Sequence, residues 1–459
     1  MGYQEIMIDH LIKFFKGRHN EKLPILLAFS GGPDSLALLH LLIEFRNSCS
    51  LKLALAHVDH GWREESAAES LEILQMAEKL GLPLHLHKLD PKDLRGNMEA
   101  ACREERYRFF ASLCQQYGYQ AVLLAHHADD VAETVLKRTL EGASLPYLAA
   151  IRPEAVINSV KVWRPLLSVS KKNILEWLQE RALKGFADRT NEDTKFLRAR
   201  LRIEVIPHLS QMFGKEVSSG LSQIGEEAGE LRDYLDARIR PYLDEIVKGE
   251  WGNYLDLSQN CPASLFELKY LVRQFSKPTL FALSRECVNQ AAEFILQKKA
   301  NKYFITGRKE SSSKIFFDRG RLFIPSVEFP LLSDTPVKIE ELKSVRLGVW
   351  EAEATPWNVS SRVPPTDWKS VWKFGSGEVI LPKGHYELAS PDQSINKWWS
   401  DHKIPAFFRA KVPVILENGC VIHEFLTGQN YLSKSLKSDG YLRIRLNYIF
   451  NHTRMKVSG

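Results

Sequence analysis

One junction constrains this chain more than any other stretch. Ile25–Phe29 is a continuous apolar run, the pattern of a strand buried on both faces. Ser30-Gly31-Gly32 breaks it, and Pro33 suits the first turn of a helix, where its missing N–H costs nothing. Leu36-Ala37-Leu38-Leu39 and Leu41-Leu42-Ile43 then continue as a helix packed on a sheet. A strand, a glycine turn and a helix start leave backbone N–H groups aimed at one spot. The helix dipole adds partial positive charge there, so the spot suits phosphate. It is not a Walker A loop, because Gly-x4-Gly-Lys-Ser/Thr does not occur here.

The chain around this junction alternates strand and helix patterns at crossover spacing. An amphipathic helix over 5–16 leads in. Apolar runs at Leu51–Val58 and Ala121–Ala125 read as further strands, as do Leu84–Leu89, where apolar residues alternate with histidines, and Lys161–Leu167. Helices are expected over Ser66–Leu80, Glu99–Gln116, Asp129–Leu140 and Lys171–Arg181. This is an α/β pattern, a doubly wound and mostly parallel sheet covered on both faces. Beyond Gly214 the residues favour helix, with strand-like pieces at Tyr303–Thr306, Lys314–Phe317 and Arg321–Ile324. Prolines and short β-like runs fill 330–395. With 459 residues, about three domains are expected: a catalytic α/β domain over 1–213, a mostly helical one over 214–330 and an α+β one over 331–459.

Parallel sheets bind ligands at the carboxyl ends of their strands. After the second strand come His57, Asp59, His60 and Arg63, and after the fourth His126, His127, Asp129 and Asp130. On a helix, Asp130 and Glu133 share a face. Two carboxylates near a phosphate loop suit Mg²⁺, although an acidic first helical turn needs no metal at all. A zinc site lacks a third ligand at suitable spacing. Glu99, Arg103 and Arg106 share a helix face, which reads first as a solvated ion-pair ladder and second as an arginine grip on phosphate or carboxylate. Lys195, Arg198, Arg200 and Arg202 form a basic cluster without an intervening acid, suited to a nucleic-acid backbone or to a solvated face.

Bulk properties narrow the partners. A net charge of +6 permits a polyanion without requiring one. The six cysteines are scattered and none forms Cys-x-x-Cys, so no zinc knuckle or redox pair is indicated. No apolar run approaches the roughly 20 residues of a membrane span, and no signal peptide is evident. A cytoplasmic protein without membrane contact is expected.

Ser30-Gly31-Gly32-Pro33-Asp34-Ser35 resembles the SGGxDS loop of the PP-loop ATP pyrophosphatases. Within that group the chain resembles the tRNA(Ile)-lysidine synthetases. The markers are Val58-Asp59-His60-Gly61, Asn97-x-Glu99 with Arg103 and Arg106-Tyr107, and Ala125-His126-His127-x-Asp129-Asp130-x-x-Glu133-Thr134. Arg164-Pro165-Leu166-Leu167 and the run from Asp188 through Arg198-x-Arg200-x-Arg202 to Pro207 complete them. The resemblance implies adenylation of C2 of the wobble cytidine in a CAU-anticodon isoleucine tRNA, then attack by L-lysine with release of AMP. It implies ATP on Ser30, Gly31, Gly32, Pro33, Asp34 and Ser35 with His57 nearby, and Mg²⁺ on Asp34 and Asp130. Catalytic roles would fall to Asp34, Arg103, Arg106, Asp130 and Glu133, and tRNA contacts to Lys195, Arg198, Arg200 and Arg202. Two departures stand out: Leu140-Glu141-Gly142-Ala143-Ser144 replaces an Arg-Gly-x-Gly stretch, and Ala199 stands where the pattern has Asn. A tRNA thiolase and a non-catalytic tRNA-binding protein are the alternatives. The oligomeric state stays open, a homodimer included.

Overall fold

The computed structural model describes residues 3–46, 49–59, 66–89, 98–149, 151–186, 195–277, 283–306, 313–326, 332–333, 335–357, 366–431 and 440–449. The chain divides into two compact units, Met1–Tyr234 and Leu235–Gly459.

The first unit runs α1 (Tyr3–Phe15), β1 (Ile25–Ala28), α2 (Pro33–Arg46), β2 (Leu53–Asp59), α3 (Ser66–Lys79), β3 (Leu84–Lys88), α4 (Met98–Tyr117), β4 (Val122–Leu123) and α5 (Ala128–Leu140). It continues with β5 (Glu154–Ile157), β6 (Val160–Trp163), α6 (Lys171–Glu180), α7 (Leu197–Arg200), α8 (Ile206–Phe213) and α9 (Val217–Asp244). The strands form one sheet in the order β3-β2-β1-β4-β6-β5, parallel except for β5 against β6. The expected strands and crossover helices are therefore present, and β5 is an added antiparallel edge.

β1 shows why a plain apolar run makes a central strand. Ile25, Leu27 and Phe29 join the core on one face of the sheet, while Leu26 joins the core on the other. Side chains alternate across a strand, so both faces must be apolar. The strand order reverses between β1 and β4. Crevices open at such a reversal, and here the loops that follow β1 and β4 flank it. On the far side of α5, Gly225 of α9 lets that helix approach closely. A Cβ there would sit 2.7 Å from Val131 Cγ1, and Ser222 Oγ donates to Ala128 O at 2.6 Å.

The second unit departs from the expected helical segment. β7 (Val247–Gly249), β8 (Gly252–Asp256), β9 (Lys302–Thr306), β10 (Ser313–Asp318) and β11 (Arg321–Pro325) form a sheet in the order β7-β8-β11-β10-β9. α10 (Leu265–Phe275) and α11 (Arg285–Leu296) lie between its strands in sequence. Trp251, Tyr254 and Phe323 share one buried core with Trp350, Trp372, Trp399 and Phe408. Trp251 stacks on Trp350 at 5.6 Å, and Trp372 Nε1 donates to Gly252 O at 3.0 Å. A common core across residues 251 to 446 makes one body of what the sequence divided at 330/331. The other expected boundary, 213/214, gives way to one inside α9. Farther along the chain, Trp399, Phe408 and Phe425 are fully buried in this core.

Candidate active site at the switch point of the sheet

The glycine turn is held from behind. Gly31 has φ +82°, and a Cβ there would lie 2.4 Å from the Phe186 ring. Phe186 N donates to Gly31 O at 2.9 Å. A side chain at 31 would meet both a strained backbone and a clash. Inside the turn, Gly32 N donates to Ser30 Oγ at 3.3 Å and Ser35 Oγ donates to Gly32 O at 3.0 Å. Pro33 opens α2 and puts Asp34 in its first turn. His57, at the end of β2, is buried and donates from Nδ1 to Phe29 O at 2.9 Å. That bond leaves its Nε2 as an acceptor.

The start of α5 brings the carboxylates to this turn. Asp130 Oδ2 accepts from His127 N at 3.0 Å, a cap that fixes the helix start. The buried His127 ring then lies among three carboxylates. Nε2 is 3.8 Å from Asp34 Oδ2 and 3.6 Å from Asp130 Oδ2, and Nδ1 is 3.6 Å from Asp129 Oδ2. Burial opposes the imidazolium, but Asp129, Asp130 and Asp34 outweigh it and raise the His127 pKa. Asp129 also suffers burial, yet its contacts with His127 and the Lys171 backbone hold its pKa low. Lys171 N donates to Asp129 Oδ2 at 2.7 Å, and Lys171 Nζ to Asp34 Oδ1 at 2.5 Å.

Glu133 is buried, and burial raises its pKa despite the Arg202 guanidinium. Arg202 Nε donates to Glu133 Oε1 at 2.5 Å and Nη2 to Oε2 at 3.2 Å, with Nη2 3.5 Å from Asp130 Oδ1. Arg202, expected as a tRNA contact, makes a bidentate carboxylate contact here. Its neighbours differ. Lys195, Arg198 and Arg200 expose their side chains. The segment is helical with a π-helical turn at Leu201–Val205, so alternate residues diverge instead of sharing one edge. Ala199, the departure from the family pattern, is buried.

A second group of cations lies beside the carboxylates. Arg103 sits over the Tyr107 ring at 5.0 Å. Burial lowers the pKa of Arg106, and that of Arg164, whose Nη1 donates to Arg152 O at 2.7 Å. Burial, aided by Arg164 and Arg103 against Asp130, takes His126 down to about 4. The ion pairs described on α4 are those of Arg108 with Glu104 and Glu105, not pairs of the Glu99, Arg103 and Arg106 set expected to form a ladder. His60, Gly61, Arg63, Asn97, the Glu99 side chain and Asp188–Asp193 lie outside the described residues.

Sequence reasoning missed Lys171 and gave Arg164 no role. Lys171 looked like any helix-opening lysine. The signal was its place after the last parallel strand, at the same sheet edge as the loop. Among the described residues, no group of three or more His, Cys, Asp or Glu side chains is set to hold a metal by itself. Asp34 and Asp130, converging on His127, fit Mg²⁺ in its usual manner, as one or two carboxylates shared with phosphate oxygens and water.

This arrangement has relatives. A model of the PP-loop domain matches residues 4–209. The tRNA(Ile)-lysidine synthase of Protochlamydia amoebophila (strain UWE25) is 37% identical over 454 residues, 96% of this chain and 97% of that protein. That of Chlamydia muridarum (strain MoPn / Nigg) is 36% identical over 270 residues, 58% of this chain and 83% of its own. Among solved structures, the U34-tRNA thiolase NcsA from Methanococcus maripaludis matches with TM-score 0.42 and 16% identity, over 50% of this chain and 79% of that one, too loosely to bear on function. Similarity that runs from end to end of a curated relative, on top of a PP-loop domain that spans the loop and both carboxylate elements, decides the matter: the chain belongs to the tRNA(Ile)-lysidine synthase family.

Proposed function

We propose that the chain is an AMP-forming ligase that attaches L-lysine to C2 of the wobble cytidine of the CAU-anticodon isoleucine tRNA. The product pairs with A instead of G, which moves the codon from AUG to AUA and the identity from methionine to isoleucine. The observation that carries the reading is the convergence of Asp34, Asp129 and Asp130 on His127 beside the Ser30–Ser35 turn. A triphosphate on the turn amides would present its α-phosphate to this cluster. The C2 carbonyl oxygen attacks that phosphorus, and the bond to the β-phosphate breaks with its electron pair leaving on pyrophosphate. Lysine nitrogen then adds at C2, loses a proton, and AMP departs.

Each residue type suits one part of that path. Ser30, Gly31, Gly32 and Ser35 would cradle the pyrophosphate, with His57 close to the bound nucleotide. Asp34 and Asp130 would hold Mg²⁺, which supplies charge neutralisation on the phosphates when bound. Glu133, raised in pKa and backed by Arg202, is suited to take the amine proton. Arg103 and Arg106 are suited to the negative charge of the adenylate or the substrate carboxylate. Lys195, Arg198 and Arg200 extend outward as phosphate contacts for tRNA in the cytoplasm. The test is transfer of labelled lysine to a CAU-anticodon isoleucine transcript. Transfer that needs ATP and the CAU anticodon is expected. A chain that binds this tRNA and ATP yet transfers nothing is not this ligase.

A further inference from the structure

Lys171 stands where three elements meet. It is the first residue of the ten-residue helix α6, whose Ser170 cap accepts from Asn173 N at 3.2 Å. Its backbone is pinned to Asp129, and its side chain reaches across to Asp34 on α2. The two ends of this residue therefore tie the phosphate turn to the carboxylate helix. The Lys171–Asp34 pair is also partly open, with 33% and 29% of the two side chains exposed. Pairs that retain this much water contribute little to stability, so this one can be given up. The Arg321–Asp318 pair of the second unit is built otherwise, with a fully buried carboxylate.

Asp34 is also the carboxylate that Mg²⁺ would take, and the incoming triphosphate is the anion that a displaced ammonium would seek. A lysine ammonium is a compact charge with three donors on a flexible stem, able to follow an oxyanion through a short movement. We infer that Lys171 is an exchangeable counter-ion: it holds Asp34 while nucleotide is absent, and it transfers to the pyrophosphate portion of ATP as Mg²⁺ takes its place on Asp34. In the adenylation step it donates hydrogen bonds to the departing pyrophosphate oxygens and keeps its proton. The bond that breaks is the one between the α-phosphorus and the bridging oxygen, whose electron pair stays on pyrophosphate.

This role rests on the ligase reading, and two measurements on the full-length chain separate them. The first is Mn²⁺ titration by electron paramagnetic resonance without nucleotide, comparing wild type with Lys171→Met. Loss of the competing ammonium is expected to tighten Mn²⁺ binding about 3- to 10-fold. The second is AMP release in the presence of tRNA. Lys171→Met should lower kcat about 100-fold or more, and Lys171→Arg should recover part of it. A merely structural lysine would leave Mn²⁺ affinity where it was. Equal Mn²⁺ affinity in the two proteins, no Mn²⁺ bound by either, or AMP release within threefold of wild type overturns the inference. Wild-type chain that makes no lysidine strikes the ligase reading instead, and the Mn²⁺ comparison still decides the role of Lys171.

Discussion

Glu133 in the first unit and Glu424 in the second are both buried, and they are held in opposite ways. Glu424, at the end of strand Cys420–Glu424, has no exposed surface. It accepts from Leu426 N at 2.9 Å, Thr427 N at 3.0 Å, Gln429 N at 3.1 Å and Trp399 Nε1 at 2.7 Å. Most of these donors are backbone groups of its own turn, so nothing can exchange. Glu133 is also buried, but its partner is one arginine side chain from a distant helix, 41% exposed. Around it Asp130, Asp129 and Asp34 share partners with His127, Lys171 and Arg202. A carboxylate saturated by fixed amides specifies a turn. Carboxylates that share movable cations are a site able to trade those cations for substrate.

The sharpest break in this contrast is expected at Asp34. Asp34→Ala should lower AMP formation roughly 10³-fold with tRNA binding intact by filter assay; unchanged AMP formation removes Asp34 from the mechanism. Next come the two glutamates themselves. Glu133→Gln should cost about 100-fold in lysine transfer with little change in melting. Glu424→Ala, which strands several buried donors, should destabilise the second unit by about 3–5 kcal/mol in denaturant. The reverse pattern, with Glu133 structural and Glu424 silent in unfolding, would erase the distinction.

The neighbouring histidines sharpen it through pH. The folded pKa of His126 falls from 6.5 to about 4 through burial, so its contribution to stability is full above pH 6.5 and is lost as pH falls toward 4. The His127 pKa is raised above 6.5, so its contribution is full below pH 6.5 and is lost as pH rises through the folded value. His126→Asn should therefore remove up to roughly 3 kcal/mol of acid-side loss, and His127→Gln should flatten the decline on the neutral side, both read from metal-free unfolding curves. Parallel curves for variants and wild type would mean that neither ring is shifted. The smallest effect belongs to the exposed cations. Arg200→Ala should reduce the salt slope of tRNA binding by about one, whereas an unaltered slope excludes a phosphate contact there.

The inner strands of the first unit are legible because they obey one local rule. A strand buried on both faces needs an unbroken apolar run, and Ile25–Phe29 and Leu53–Ala56 supply it. The turn at Ser30–Ser35 is legible for the same reason, since Gly31 and Pro33 have few other uses. The Asp130–Glu133 face followed from helical spacing. Arg202 did not. Its alternation with Arg198 and Arg200 suggested an exposed edge, and only the helical and π-helical turns from 197 to 205 direct it to Glu133. Lys171 escaped because its partner, Asp34, is far away in sequence and only the sheet order brings them together. In the second unit, strands as short as Val247–Gly249 carry too little pattern to be seen, and the tryptophan core that unites 251 with 446 is a tertiary fact.

The central claim is that the Ser30–Ser35 turn and the carboxylates beside it activate a nucleobase oxygen with ATP for attack by lysine. The most direct measurement follows α-labelled ATP and labelled lysine together on the CAU-anticodon isoleucine tRNA, with wild type and Asp34→Ala side by side. One AMP released for each lysine attached, with both lost in the variant, is the predicted result. Lysine attached without AMP release, or equal products from the two proteins, would contradict it.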